Sequence, residues 1–223
     1  MITMLKRHVP VCVVAVVALL AVPAYAKHKK HKPPPPTPGV FDYYVMSLAW
    51  SPQYCAGGST GASDPQCGTS RHYGFVLHGL WPQYQHGYPQ SCSTTPVGDA
   101  VVDGIVDIMP SPQLVRHEWS KHGTCSGLTP EAYFNTARTA YAGVKIPGTY
   151  TDLKTVLHAS VPDIEQAFHG ANPDLDASKM AVLCSGKFLQ EVRVCLDNDL
   201  HARDCGPDVR NGCKGTFTVR PMK

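Results

Sequence analysis

The sequence predicts an α+β domain, an antiparallel sheet packed with several helices and stapled by disulfides. Three observations point there. Short β-favouring segments and segments of helical period come in mixed order, with few βαβ units. Once an N-terminal export segment is set aside, eight cysteines remain (Cys55, Cys67, Cys92, Cys125, Cys184, Cys195, Cys205 and Cys213), an even number that implies disulfides in an exported chain. What is left of the 223 residues suits one domain.

Residues 1–26 read as a secretory signal peptide: Lys6 and Arg7 form a basic start, residues 9–22 are almost wholly apolar, and Ala24-Tyr25-Ala26 is a small-x-small cleavage site. The apolar run is shorter than the roughly 20 residues of a membrane span, so no stable membrane insertion is expected. Cys12 leaves with this segment. Residues 27–40 form an exposed spacer in which Lys27, Lys29, Lys30 and Lys32 precede the proline run 33–36. His28 and His31 there offer a weak grip on a metal or an anionic surface, against the simpler reading of a solvated tail. The folded domain is then 41–223. Without signal and spacer it has 14 Lys+Arg against 17 Asp+Glu and eight histidines. That excludes an obvious basic footprint for tight nucleic-acid binding. Imidazoles titrate near pH 6.5, so capture of a polyanion should strengthen as pH falls.

Along the chain, residues 41–50 are aromatic and β-rich and read as a strand. Residues 51–69 are Gly/Ser/Pro-rich and carry Cys55 and Cys67, a loop suited to one disulfide staple. Residues 73–77 form a short apolar strand that delivers His78 at its end. Residues 83–96 are loop, and 98–109 have helical spacing up to Pro110. Residues 112–122 suit a helix with Pro112 in its first turn and Gly123 as its stop. Thr129-Pro130-Glu131 is a strong start for a helix reaching residue 142. Residues 151–158 and 163–169 look like two further short helices. Residues 179–183, 188–196 and 216–220 read as strands, with Phe188, Gln190, Val192 and Val194 on one face of the second.

The densest chemistry is His117-Glu118-Trp119-Ser120-Lys121-His122-Gly123-Thr124-Cys125. On a helix, His117 lies four residues from Lys121, and Glu118 four from His122, so each pair shares a surface. A second segment, His78-Gly79-Leu80-Trp81-Pro82-Gln83, lies upstream. The two are expected to face each other across one active site. Imidazole can both take and give a proton near neutral pH, so two such segments suit paired acid–base catalysis.

His-Gly-Leu-Trp-Pro at 78–82 followed by His-Glu-Trp-x-Lys-His-Gly-Thr-Cys at 117–125 resembles the two active-site segments of the ribonuclease T2 family, and Leu48-Ala49-Trp50-Ser51-Pro52-x-Tyr54-Cys55 resembles its opening strand and loop. With the late cysteines the resemblance covers roughly residues 41–215. It implies an endoribonuclease that cleaves single-stranded RNA through the ribose 2′-hydroxyl, giving 2′,3′-cyclic phosphates and then 3′-phosphates. It implies His122 as the base and His78 as the acid. His117 would hold the phosphate, and Glu118 and Lys121 would stabilise the pentacovalent phosphorus. No metal or other cofactor is implied, and DNA, lacking the 2′-hydroxyl, should be inert. Trp81 is either a stacking platform for a base or a core indole. Where the family often has an acid after Trp-Pro, this chain has Gln83, which suggests weak base specificity; Tyr84 is a further candidate contact. The resemblance also implies the pairs Cys92–Cys125 and Cys184–Cys213, leaving Cys195 with Cys205 and Cys55 with Cys67 on proximity alone. A monomer, periplasmic or secreted, is the expectation.

Two rivals remain to be weighed. A zinc hydrolase of the His-Glu-x-x-His type needs histidines four apart, whereas His117 and His122 are five apart, about 140° around a helix. A catalytically silent secreted RNA-binding or interaction protein on the same fold would be supported by loss of a motif histidine, but His78, His117 and His122 are all present.

Overall fold

Strand β1 (Tyr43–Trp50) is buried on both faces, which explains why it reads as a near-continuous run of aromatic and apolar residues. Tyr44, Met46, Leu48 and Trp50 enter the main core; Tyr43 and Val45 point the other way, into a small cluster with Cys195, Trp81 and Val209. The computed structural model describes residues 36–57, 64–68 and 72–222. The expected signal peptide and the Lys/His cluster of the spacer lie outside the described residues. Residues 35–223 form one unit.

Six strands make one sheet in the order β2-β1-β5-β6-β3, with β4 paired to β5. Their ranges are β2 (Phe75–Gln83), β3 (Leu157–Ala159), β4 (Met180–Ser185), β5 (Phe188–Leu196) and β6 (Phe217–Val219). Pairing is antiparallel throughout except for one parallel contact, Phe188 with Thr218, so the sheet is mixed rather than purely antiparallel. Helices α1 (Ser51–Ala56), α2 (Asp99–Asp103), α3 (Pro112–Lys121), α4 (Pro130–Gly143) and α5 (Val161–Ala171) complete the domain. Trp50, Phe75, Tyr150 and Phe168 interlock edge-on or stacked where the sheet meets α5. Each such buried side chain contributes roughly 1.5–3 kcal/mol relative to exposure.

Two one-residue bulges set the faces. Ser47 pairs with Gly79 but Leu48 with Leu77, so His78 is the extra residue in β2. On a regular strand, residues three apart point to opposite faces. The bulge inverts that parity: Leu77 and Leu80 both enter the core, and His78 and Trp81 share the other face. Strand β2 therefore continues through Gln83, where the sequence reading stopped it at 77; the broken alternation looked like a strand end. In β5, Leu183 pairs with Glu191 but Cys184 with Leu189, making Gln190 the extra residue. Leu189, Val192 and Val194 consequently share the core while Gln190 is exposed, correcting the face expected from strict alternation.

Other departures have local causes. Residues 51–56, expected as loop, form α1 because Pro52 is pre-organised for a first helical turn. The expected helix over 98–109 is α2 only, capped at Gly104 and followed by turns, although Val102, Ile105 and Met109 still reach the core. Residues 151–158 are not helical: Leu157, His158 and Ala159 pair with β6, a distant segment that local periodicity cannot reveal. The starts of α3 and α4 follow sequence logic more closely. Ser111 accepts from Leu114 N at 3.3 Å ahead of Pro112, and Thr129 accepts from Ala132 N at 3.3 Å ahead of Pro130.

Four disulfides join Cys55–Cys67, Cys92–Cys125, Cys184–Cys213 and Cys195–Cys205. Cys92–Cys125 ties the loop before α2 to the 3₁₀ turn that follows α3 (Gly123–Cys125), spanning 33 residues of sequence. Among the described residues no helix is long and apolar enough to cross a membrane. Replacing Cys92 and Cys125 together by Ser should cost about 2–5 kcal/mol in urea unfolding; a loss under 1 kcal/mol would show that the turn is held by packing alone.

Candidate active site

Strand β2 and helix α3 face each other across a cleft of about 300 Å³ lined by His78, Trp81, His117, Glu118, Lys121 and His122, with Gln83, Tyr88 and Arg193 also on its wall. The two motifs thus come together as the sequence predicts. The bulge aims His78 into this cleft. Helix geometry turns Glu118 inward, where it is 2% exposed. His117 and Lys121 sit towards the rim, and His122 caps the C-terminus of α3 with its N–H donating to the Glu118 carbonyl at 2.9 Å.

Glu118 is the hinge pin of the arrangement. Its Oε2 accepts the Trp81 indole N–H at 2.6 Å, and its Oε1 lies 3.6 Å from His78 Nε2. The Glu118 carboxylate, expected beside His122, instead bridges from helix to strand, and His122 stands at the C-cap of α3. Gly79 makes the bridge fit: a Cβ at that position would run into the Glu118 carboxylate and the Trp81 indole nitrogen. Gly123 follows the same logic rather than that of a helix stop. Its φ is not positive, and a Cβ there would come within 2.5 Å of the Trp119 ring and 2.9 Å of Tyr133.

Trp81 packs against both imidazoles. Its ring lies 5.3 Å from that of His78, edge-on, and 5.2 Å from that of His122, tilted by 30°. The Arg193 guanidinium lies 5.1 Å from the same ring. Both histidines therefore flank one indole and open to one cleft.

Their electrostatic settings are opposite. For His78, burial works against the charged form, but the hydrogen bond to Glu191 and the charges of Glu118 and Glu191 outweigh it and raise the pKa above its usual 6.5, with Arg193 opposing. His122 is 5% exposed; burial, then the positive fields of Lys121, His117 and His78, bring its pKa down to about 3. Its Nδ1 is sealed from solvent without a hydrogen-bond partner among the described residues, which leaves Nε2 as the nitrogen able to meet a ligand. Burial raises the pKa of Glu118, only partly offset by His78, the Trp81 hydrogen bond, His117 and Lys121.

The base-contact candidates fare differently. Gln83 is 7% exposed on the cleft wall and donates one amide N–H to the Pro82 carbonyl at 3.1 Å. Tyr84 does not line the cleft; its backbone N–H closes a turn onto Gly87 O at 3.0 Å. The aromatic at the mouth is Tyr88, 47% exposed with its ring 5.8 Å from that of His122, which sequence reading passed over in a loop. Glu191, Arg193 and Ser47 were also missed. Their signal was two charges on a strand whose neighbours Val192, Val194 and Leu196 are apolar.

Among the described residues, the group with metal-ligating proximity is Asp197, Asp199 and His201, on the loop after β5 and away from the cleft. A larger cavity of about 500 Å³, between the end of α4 and that loop, holds none of the motif residues.

Gly79→Ala should leave the strand paired but drive the Trp81 indole off Glu118, at a cost of about 1–3 kcal/mol in stability. The Trp81 Nε1–H proton resonance would move upfield as its short bond to a carboxylate is lost. An unchanged resonance would show that the site absorbs the methyl group.

The model of the ribonuclease T2 family matches residues 41–205. A ribonuclease of Aeromonas hydrophila is 52% identical over 99 residues, covering 44% of this chain and 44% of that protein. Ribonuclease DdI of Dictyostelium discoideum is 28% identical over 202 residues, covering 80% and 84%. The chain thus spans less than half the length of the first of these relatives. Among solved structures, an RNase MC1 mutant in complex with 5′-UMP shares the fold with TM-score 0.65 at 24% identity, covering 79% of this chain and 97% of that one. RNase NT in complex with 5′-AMP does so with TM-score 0.64 at 23% identity, covering 82% and 100%. With both histidine motifs meeting in one cleft of this fold, and the family model spanning most of the domain, the chain belongs to the ribonuclease T2 family.

Proposed function

We propose that this chain is a metal-independent endoribonuclease that cuts single-stranded RNA by attack of the ribose 2′-hydroxyl on the adjacent phosphorus. The observation that carries the reading is the pair of imidazoles that pack on Trp81 and line one cleft, one favoured in its protonated form and the other in its neutral form. Each is ready for a different half of the reaction. His122 accepts the 2′-hydroxyl proton through Nε2 as the 2′-oxygen bonds to phosphorus. His78 gives its Nε2 proton to the 5′-oxygen as the P–O5′ bond breaks. The product is a 2′,3′-cyclic phosphate; water then takes the place of the departed alcohol, and the same groups with reversed roles yield a 3′-phosphate.

The remaining residues act on charge. Lys121 and His117, on the rim above Glu118, supply donors and positive charge to non-bridging oxygens that gain charge in the transition state. Glu118 carries its own hydrogen-bonding carboxyl group to the same place and fixes Trp81. The indole, committed to Glu118 and flanked by both imidazoles, serves this reading better as a spacer than as a base platform. Tyr88 at the mouth is the surface on which a base can stack. Gln83, in place of an acid, keeps one amide N–H bonded to the Pro82 carbonyl, in keeping with low base specificity.

Four disulfides support an oxidising location, in line with the expected signal peptide, and favour a periplasmic or secreted site of action. The domain's net negative charge implies that histidine protonation assists capture of the polyanion in mild acid.

His122→Ala and His78→Ala should each lower kcat on single-stranded RNA by about 10²–10⁴-fold. Early products should end in 2′,3′-cyclic phosphate, and DNA of the same sequence should stay intact. Full activity in either variant would remove that histidine from the reaction. The rate should follow a bell in pH. Below about pH 3 His122 takes up a proton and is lost as base, while above the raised pKa of His78 the acid is lost. The optimum therefore falls on the acid side of neutrality, and a rate still climbing through pH 8 would contradict these roles.

A further inference from the structure

One buried charge beside the cleft touches the acid His78 from behind the cleft wall. Glu191, on β5, is 3% exposed and does not line the cleft, so it cannot touch substrate. Its carboxylate is nonetheless saturated with donors. Oε2 meets His78 Nδ1 at 3.3 Å and accepts the Ser47 hydroxyl at 3.0 Å. Oε1 accepts Arg193 Nε at 2.7 Å and Nη2 at 2.6 Å. Each partner comes from a different constraint of the sheet: Ser47 from β1, Arg193 from the position paired with Ser47, and His78 from the bulge. A carboxylate with this many fixed donors stays ionised, and its hydrogen bond from His78, with Arg193, keeps its pKa low despite burial.

Resting on the nuclease reading above, we propose that Glu191 is the positioning residue of the acid: its carboxylate accepts the Nδ1–H of His78 and so holds the ring with Nε2 towards the leaving oxygen. When Nε2 gives its proton to the 5′-oxygen, His78 is left as the neutral Nδ1–H tautomer, which is the tautomer Glu191 favours. Glu191 keeps its charge throughout and takes no proton. A bulged residue on a strand has lost the ladder contacts that would otherwise fix its orientation, and Glu191 supplies that restraint from the neighbouring strand. Arg193 tempers the effect, since its cation neutralises part of the Glu191 charge.

The alternative is a plain structural ion pair between Glu191 and Arg193, with His78 a bystander. The two are separated by the titration of His78, which is faced by Glu118 from α3, by Glu191 and Arg193 from β5, and by His122 beyond α3. The experiment is an NMR titration of the His78 ring nitrogens in the full chain, wild type against Glu191→Gln and Arg193→Gln, with kcat and KM on RNA measured in parallel. Glu191→Gln should move the His78 midpoint to lower pH and lower kcat roughly 10–100-fold, by analogy with carboxylates that orient metal-bound histidines, with KM within about twofold. Arg193→Gln should move the midpoint the other way, to higher pH. Should Glu191→Gln fail to fold, Arg193→Gln decides alone. A His78 midpoint unmoved in the folded variants of an active enzyme overturns the proposal. A wild type that cuts no RNA overturns the nuclease reading instead, and the titration still judges the contact.

Discussion

The site depends on one extra residue in β2. A sheet alternates its side chains strictly, so the sequence His-Gly-Leu-Trp would ordinarily send histidine and tryptophan to opposite faces. By carrying His78 as an unpaired bulge, the strand keeps Leu77 and Leu80 in the core and places His78 and Trp81 together on the outer face. The chemistry then costs the core nothing in apolar burial. Gly79 is needed beside the bulge, since the space a side chain would take is filled by Glu118 reaching across from α3.

That reach has an electrostatic consequence. Helix and strand press their ionisable groups into a volume with little water, where interactions between charges are stronger and unpaired charge is costly. Two carboxylates beside His78 favour its protonated form against the cost of burial, whereas burial first and then the neighbouring cations favour the neutral form of His122. Two chemically identical side chains packed on one indole are thus biased towards opposite protonation states. The difference is built from position alone.

Much of this was legible in the sequence, and the residues show why. The helices with Ser or Thr before Pro at 111–112 and 129–130 announce themselves through local capping chemistry. The motif residues His78, Glu118 and His122 were found because their types are dense and rare in combination. What escaped was non-local. The end of β2 was misplaced because a bulge and a strand terminus both break alternation, and only the pairing with Ser47 and Leu48 tells them apart. The short strand 157–159 exists because of β6, some sixty residues on. Glu191 is invisible from the motifs, since it lies more than a hundred residues from His78 and acts only through the sheet.

The central claim is that two imidazoles work from opposite sides of one phosphorus, which requires the 2′-oxygen to enter in line with the departing 5′-oxygen. Stereochemistry reads that directly. A dinucleoside phosphorothioate of one configuration at phosphorus, cleaved by this protein, should give a single 2′,3′-cyclic phosphorothioate isomer with inversion. Retention at phosphorus, or a mixture of both isomers, would mean that attack and departure share one side, and the arrangement of His122 and His78 described here would not be the one that performs the reaction.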